Sequence, residues 1–70
     1  MTSLLDINVN GEKRSVASSV TILHLITAAG LNPESTAVQR NEEIVPRSAY
    51  AETILQEGDV IELVRFVGGG

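Results

Sequence analysis

The residues with the most distinctive chemistry stand at the end of the sequence, where Val67 is followed by Gly68, Gly69 and Gly70. Glycine has no Cβ, so a glycine backbone can approach another protein surface closely. Residues 67–70 span at most about 13–14 Å when extended, which suits delivery of the Gly70 carboxylate into a narrow, deep site on another protein. Short glycine runs also occur at frayed ends and in cloning scars, so the glycines alone leave both interpretations open.

The remaining residue types do not indicate an active site of the chain's own. There is no cysteine, and His24 is the single histidine. His24 falls on the predicted solvent face of a helix without other ligand-type residues beside it, whereas a metal site needs several converging ligands. We therefore expect no metal, no cofactor bound by this chain and no stand-alone enzyme. Acidic residues such as Glu57 and Asp59 are interpreted as solvated turn charges.

Composition excludes several classes of partner. The net charge is −4, with five Lys and Arg residues against nine Asp and Glu. Phosphate neutralisation needs clustered basic side chains, so we expect neither nucleic acid nor an anionic membrane to bind. No apolar run approaches the roughly 18–20 residues of a membrane span, and the first residues carry no secretory signal. The sequence predicts a soluble, cytoplasmic protein.

The first part of the chain predicts a β-hairpin. Leu5, Ile7 and Val9 alternate with polar residues, which is the pattern of a half-buried strand. Asn10-Gly11 then tolerates the positive φ angles of a type I′ turn, and residues 13–17 form the return strand.

A single short helix follows, between Thr21 and Gly30. Thr21, or one of the serines at 18 and 19, can cap its start, and Gly30 suits the left-handed position after its last turn. A capping box would have Glu or Gln where His24 stands, so a slightly weakened helix start is expected. The predicted apolar stripe consists of Ile22, Leu25, Ile26 and Ala29.

The second half predicts three more strands, over residues 37–40, 43–45 and 60–67. Asn41-Glu42 forms the turn between the first two, and Pro46 ends the second because proline lacks a ladder N–H. With a single helix available, this order indicates an α+β domain, a sheet of four to five strands with the helix packed on one face. We expect the domain to cover residues 1–66, with residues 67–70 as a flexible tail.

The last strand has an unusual distribution of apolar residues. Ile61 and Leu63 suit the core beneath the helix. Val64 and Phe66 fall at the alternate positions, which lie on the opposite face of the strand, but they are also apolar. Either the loop around Tyr50 covers Val64 and Phe66, or they form an exposed docking patch. We favour the patch, because exposed apolar patches usually mark interfaces.

Three segments resemble the ThiS family of sulfur carriers, ubiquitin-like proteins of thiamine thiazole biosynthesis. They are Asn10-Gly11-Glu12, the I-V-P-R stretch within residues 43–47, and residues 57–70, with a Gly-Asp turn, the last strand and the glycine end. The similarity extends over essentially the whole chain. It implies the β-grasp fold, with a mixed sheet and one main helix.

The resemblance also implies a chemistry. An E1-like adenylating enzyme would bind the patch and the tail, and would use ATP and Mg²⁺ to adenylate the carboxylate of Gly70. A sulfur donor, usually a persulfide, would displace AMP and leave a thiocarboxylate, from which a thiazole synthase would take the sulfur. The implied partner-binding residues are Val64, Phe66, Val67, Gly68 and Gly69.

Three other functions stay open at this point. The chain could carry sulfur for molybdopterin or another product, or it could be a ubiquitin-like modifier that joins its C-terminus to lysines. It could also be a binding module that uses Val64 and Phe66 and leaves the glycines idle.

Overall fold

A computed structural model describes residues 3–66, and it confirms the predicted order of elements. The expected tail, with Val67 and the three glycines, lies outside the described residues. The last strand was predicted over residues 60–67, but it ends at Arg65, one residue before the described Phe66. Two 3₁₀ turns, Pro33–Ser35 and Arg47–Ala49, join the main elements. The strands and helix are β1 (Leu4–Val9), β2 (Glu12–Ala17), α1 (Ile22–Ala28), β3 (Thr36–Arg40), β4 (Glu43–Val45) and β5 (Val60–Arg65).

The five strands form one mixed sheet in the order β2-β1-β5-β3-β4. The central pair, β1 and β5, is parallel, whereas β1–β2, β3–β5 and β3–β4 are antiparallel. The first and last strands therefore meet in the middle of the sheet, and a helix crosses one face. This is the β-grasp arrangement that the resemblance implied.

Local signals place the hairpin and the helix where the sequence predicts them. Asn10 and Gly11 have φ angles of 51° and 86°, as a type I′ turn requires, and Gly30 has a φ of 77° just after the helix. The expectation of a weakened helix start was wrong. The Thr21 N–H donates to His24 Nδ1 and the His24 N–H donates to Thr21 Oγ1, both at 3.2 Å. An imidazole nitrogen therefore takes the role that a Glu or Gln oxygen has in the usual capping box.

The core lies between α1 and one face of the sheet. Ile22 and Ile26 of the helix are completely buried there, against residues of the central strands such as Ile61 and Val38. Ala29 does not extend the buried stripe as expected, because it is the exposed C-cap beyond the last helical residue. A helix of seven residues is not stable alone, so its burial on the sheet maintains it.

Tyr50 anchors the long connection between β4 and β5 on the helix side of the sheet. Its ring belongs to the buried core, and its hydroxyl donates to the Thr36 carbonyl at 2.7 Å. The Tyr50 carbonyl accepts from the Leu23 N–H of the helix. The connection therefore packs with α1 and leaves the opposite face of the sheet open. Within residues 3–66, no helix has the length and apolar character to cross a membrane.

Candidate docking surface

The face of the sheet opposite α1 carries the predicted patch. On β5, Ile61 and Leu63 are buried toward the helix, so the alternate residues lie on the opposite face. Val64 is 54% exposed and Phe66 is 58% exposed. The loop around Tyr50 does not cover them, so the patch is open. That a partner binds them stays a prediction.

Strand pairing enlarges the patch beyond β5. Val64 pairs with Ala37 of β3, and the neighbouring β3 residue on the same face, Gln39, pairs with Ile44 of β4. Ile44 is 74% exposed, more than any other large apolar side chain that the structure describes. We call Ile44, Ala37, Val64 and Phe66 the apolar strip. Part of it lines a shallow depression of about 310 Å³, together with Gln39 and Glu62.

Sequence reasoning missed two residues of the strip, Ala37 and the more exposed Ile44. In the sequence Ile44 lies in a three-residue strand between Glu43 and Val45, where one apolar residue gives no alternation to interpret. The pairing of Ile44 with Gln39 determines which face of the sheet the Ile44 side chain lies on, and this pairing is a tertiary contact. The signal available in the sequence was Val45 before Pro46, because an edge strand can bury only one of two adjacent apolar residues.

The β1–β2 half of this face is more polar than the strip, although Leu4 of β1 is also exposed there. On the same face of β1 and β2, Ser15 Oγ donates to Asp6 Oδ1 at 3.0 Å, and Lys13 Nζ lies 3.9 Å from Asp6 Oδ2. These exposed polar groups are hydrated, and displacing their water would oppose docking of an apolar partner. We therefore expect a partner that binds the apolar strip to contact the β5-β3-β4 half of the sheet. This half includes β5, the last strand before the C-terminal residues in the sequence.

A buried carboxylate holds the start of β5. Asp59, expected to be solvated, is instead only 4% exposed, so that expectation was wrong. Its carboxylate accepts from Arg40 Nε at 2.9 Å, Asn41 Nδ2 at 3.0 Å and the Gln56 N–H at 2.8 Å. Burial by itself raises the pKa of Asp59, but the hydrogen bonds from Gln56, Asn41 and Arg40 and the Arg40 charge outweigh burial and lower it. The network joins the β3–β4 turn to the start of β5, at the end of that strand opposite Val64 and Phe66.

Residues 3–66 contain no group of three or more His, Cys, Asp and Glu side chains that could hold a metal ion. His24 is occupied in the helix cap, which gives this single imidazole a structural role. The described part of the chain thus presents an exposed apolar strip on the face of the sheet opposite α1. Val67, Gly68, Gly69 and Gly70, which complete the predicted site, lie outside the described residues.

Comparison with known proteins decides the family. The ThiS family model matches residues 7–70, a range that includes the I-V-P-R stretch, β5 and all three terminal glycines. The chain belongs to the ThiS family.

The similar proteins include sulfur carriers and thiazole synthases. The sulfur carrier protein ThiS of Bacillus subtilis is 44% identical over 50 residues, which cover 71% of this chain and 76% of the relative. A thiazole synthase of Paramagnetospirillum magneticum is also 44% identical, over 62 residues that cover 89% of this chain. This ThiS-family chain spans only 19% of the length of that synthase.

A solved structure supports the fold. The crystal structure of the thiamine biosynthesis protein ThiS from Geobacter metallireducens superimposes with a TM-score of 0.79 at 32% identity, covering 94% of this chain and all of that one. The β-grasp topology described above is therefore the topology of a solved family member.

Proposed function

We propose that this chain is a sulfur carrier whose Gly70 carboxylate is adenylated and then converted to a thiocarboxylate that donates sulfur for thiamine thiazole synthesis. The observation that carries the proposal is the family match through Gly70, together with the apolar strip on the open face of the sheet. The similarity to both sulfur carriers and thiazole synthases supports the thiamine pathway.

Activation is necessary because a free carboxylate is a poor electrophile. The Gly70 carboxylate attacks the α-phosphorus of ATP, and pyrophosphate leaves. The terminal sulfur of a persulfide then attacks the acyl carbon and AMP leaves, which gives an acyl disulfide. A thiol cleaves the S–S bond of that acyl disulfide, so the chain keeps the sulfur as a thiocarboxylate while donor and thiol leave as a disulfide.

The chain acts as a protein co-substrate in this scheme, and the catalytic groups belong to its partners. An E1-like adenylating enzyme supplies the site for ATP and Mg²⁺, and positions the carboxylate by binding the apolar strip and the tail. A thiazole synthase then accepts the sulfur. The sheet contributes by holding Val64 and Phe66 on its open face, shortly before the reacting carboxylate in the sequence.

Intact mass spectrometry tests the proposal directly. The purified chain is incubated with host lysate, ATP and cysteine, and we expect a mass gain equal to replacement of one oxygen by sulfur. A chain that lacks Gly69 and Gly70 is the matched control and should show no gain. Omission of ATP should also abolish the gain, because the sulfur step follows adenylation.

The same measurement separates the other functions. An unchanged mass, with an adenylating enzyme shown to be present, would contradict the sulfur-carrier proposal. Species heavier than the monomer by the mass of a second protein would indicate a modifier joined to lysines. If the thiocarboxylate forms but thiazole synthase does not consume it, the sulfur serves another product such as molybdopterin.

A further inference from the structure

Asn10 contacts the last strand as well as forming the hairpin turn. The Leu63 N–H donates to Asn10 Oδ1 at 2.8 Å, and Asn10 Nδ2 donates to the Leu63 carbonyl at 3.4 Å. These contacts join residues that are 53 positions apart in the sequence. One side-chain amide therefore contacts both backbone polar groups of a single β5 residue.

The position of this amide explains its effect on the sheet. The parallel pairing of β1 with β5 ends where Val9 faces Ile61, and the Asn10 N–H then donates to the Ile61 carbonyl at 2.9 Å. Beyond that point the β1 chain turns away into the hairpin. The Asn10 side chain takes the place of the next β1 residue, and it extends the ladder to Leu63.

The strand that follows Leu63 is held mainly from the other side. Arg65 pairs with Thr36 of β3, and the Phe66 N–H donates to the Ser35 carbonyl at 2.8 Å. Among the hydrogen bonds of residues 3–66, those of Asn10 are the last on the β1 side of β5. The segment that carries Val64 and Phe66 thus begins at the residue that Asn10 fixes.

We propose that Asn10 is a positioning residue, whose amide fixes the end of β5 in the orientation that an E1-like adenylating enzyme binds. The inference rests on the proposed function. A strand fixed before binding loses less conformational entropy when it docks, so its fixation strengthens binding without a contact to the partner. Asn10 does not touch the reacting carboxylate in this proposal, and acts through Leu63.

Two glycine substitutions form a matched pair for the test. Asn10→Gly keeps a residue that accepts the φ of 51° but removes both bonds to Leu63. Asn41→Gly is equivalent in the β3–β4 turn, where Asn41 also has a φ of 51°. Asn41 Oδ1 accepts from the Val60 N–H at 2.9 Å. Removal of the Asn41 side chain therefore loosens the start of β5, the end opposite Phe66. Asn10→Asp is a third variant, which keeps an acceptor for the Leu63 N–H.

The experiment measures the KM for the chain in ATP–pyrophosphate exchange catalysed by the adenylating enzyme, at a temperature where circular dichroism shows every variant folded. Asn10→Gly should raise this KM about fivefold, the effect of one net hydrogen bond on an equilibrium, with kcat unchanged. Asn10→Asp should recover part of the loss, and Asn41→Gly should keep the wild-type KM. Amide hydrogen exchange should quicken at Leu63 in Asn10→Gly only.

Three results would overturn the positioning role. The first is a wild-type KM for Asn10→Gly despite faster exchange at Leu63, which would leave the proposed function intact. The second is an equal rise in KM for Asn41→Gly, which would indicate general loosening of β5. The third is no exchange activity with the wild-type chain, which would refute adenylation itself and the role of Asn10 with it.

Discussion

Ile44 offers the sharpest test of the apolar strip, because the substitution of a highly exposed residue can affect binding without affecting folding. Its side chain is 74% exposed on the β4 edge of the open face. We predict that Ile44→Ser weakens binding to the adenylating enzyme and leaves the free energy of unfolding within about 0.5 kcal/mol of the wild type. The matched control is Ile54→Ser, since Ile54 is 48% exposed but lies beside the start of α1, where it bridges to Thr21.

The magnitude follows from the surface that remains to be buried. Complete burial of an isoleucine side chain contributes about 1.5–3 kcal/mol, and roughly three quarters of the Ile44 surface is still available. Docking over Ile44 therefore gains about 1–2 kcal/mol from this residue, and its loss should raise the Kd about 5- to 30-fold.

Isothermal titration calorimetry of both variants against the adenylating enzyme measures this change, with urea denaturation as the check on folding. A wild-type Kd for Ile44→Ser would refute the assignment of β4 to the docking surface and confine the contact to β5. An equal weakening by Ile54→Ser would also count against the strip, because it would show that any lost apolar surface has the same effect.

Two further predictions concern polar contacts that stabilise the fold. The pKa of Asp59 is lowered in the folded chain, so its contribution to the free energy of unfolding is present above the ordinary carboxyl value and is lost as pH falls below about 4. Asp59→Asn should cost roughly 1–3 kcal/mol at pH 7 and progressively less as the pH falls below about 4, as followed by thermal melts, and a cost independent of pH would contradict the ionic role. At the helix start, His24→Ala should lower the free energy of unfolding by about 0.5–1 kcal/mol, whereas His24→Gln, which keeps an acceptor for the Thr21 N–H, should lower it less. Equal urea midpoints for the two His24 variants would show that a side-chain acceptor at position 24 does not stabilise the helix start.

Local chemistry in the sequence was sufficient for the elements and their order. Asn10-Gly11 determines the first turn because positive φ angles exclude most residues there, and Gly30 ends the helix for the same reason. The alternation along β5 identified both the buried residues and the exposed Val64 and Phe66. The family was also predictable, since its motifs are contiguous segments that need no structure to recognise.

Tertiary structure decided the features that depend on partners distant in sequence. Asp59 looks like a solvated turn residue, and its burial follows from Arg40 and Asn41, which only the β3–β5 pairing brings to it. Ile44 reaches the strip through its register with β3, and Asn10 meets Leu63 because the first and last strands are parallel neighbours. A short-range pattern encodes backbone φ angles and which side chains share one face of a strand. Hydrogen bonds between residues distant in sequence form only when the chain has folded and brought those residues together. The sequence by itself therefore determined the elements, the family and the candidate tail chemistry, and the folded sheet decided which residues surround and support the surface beside it.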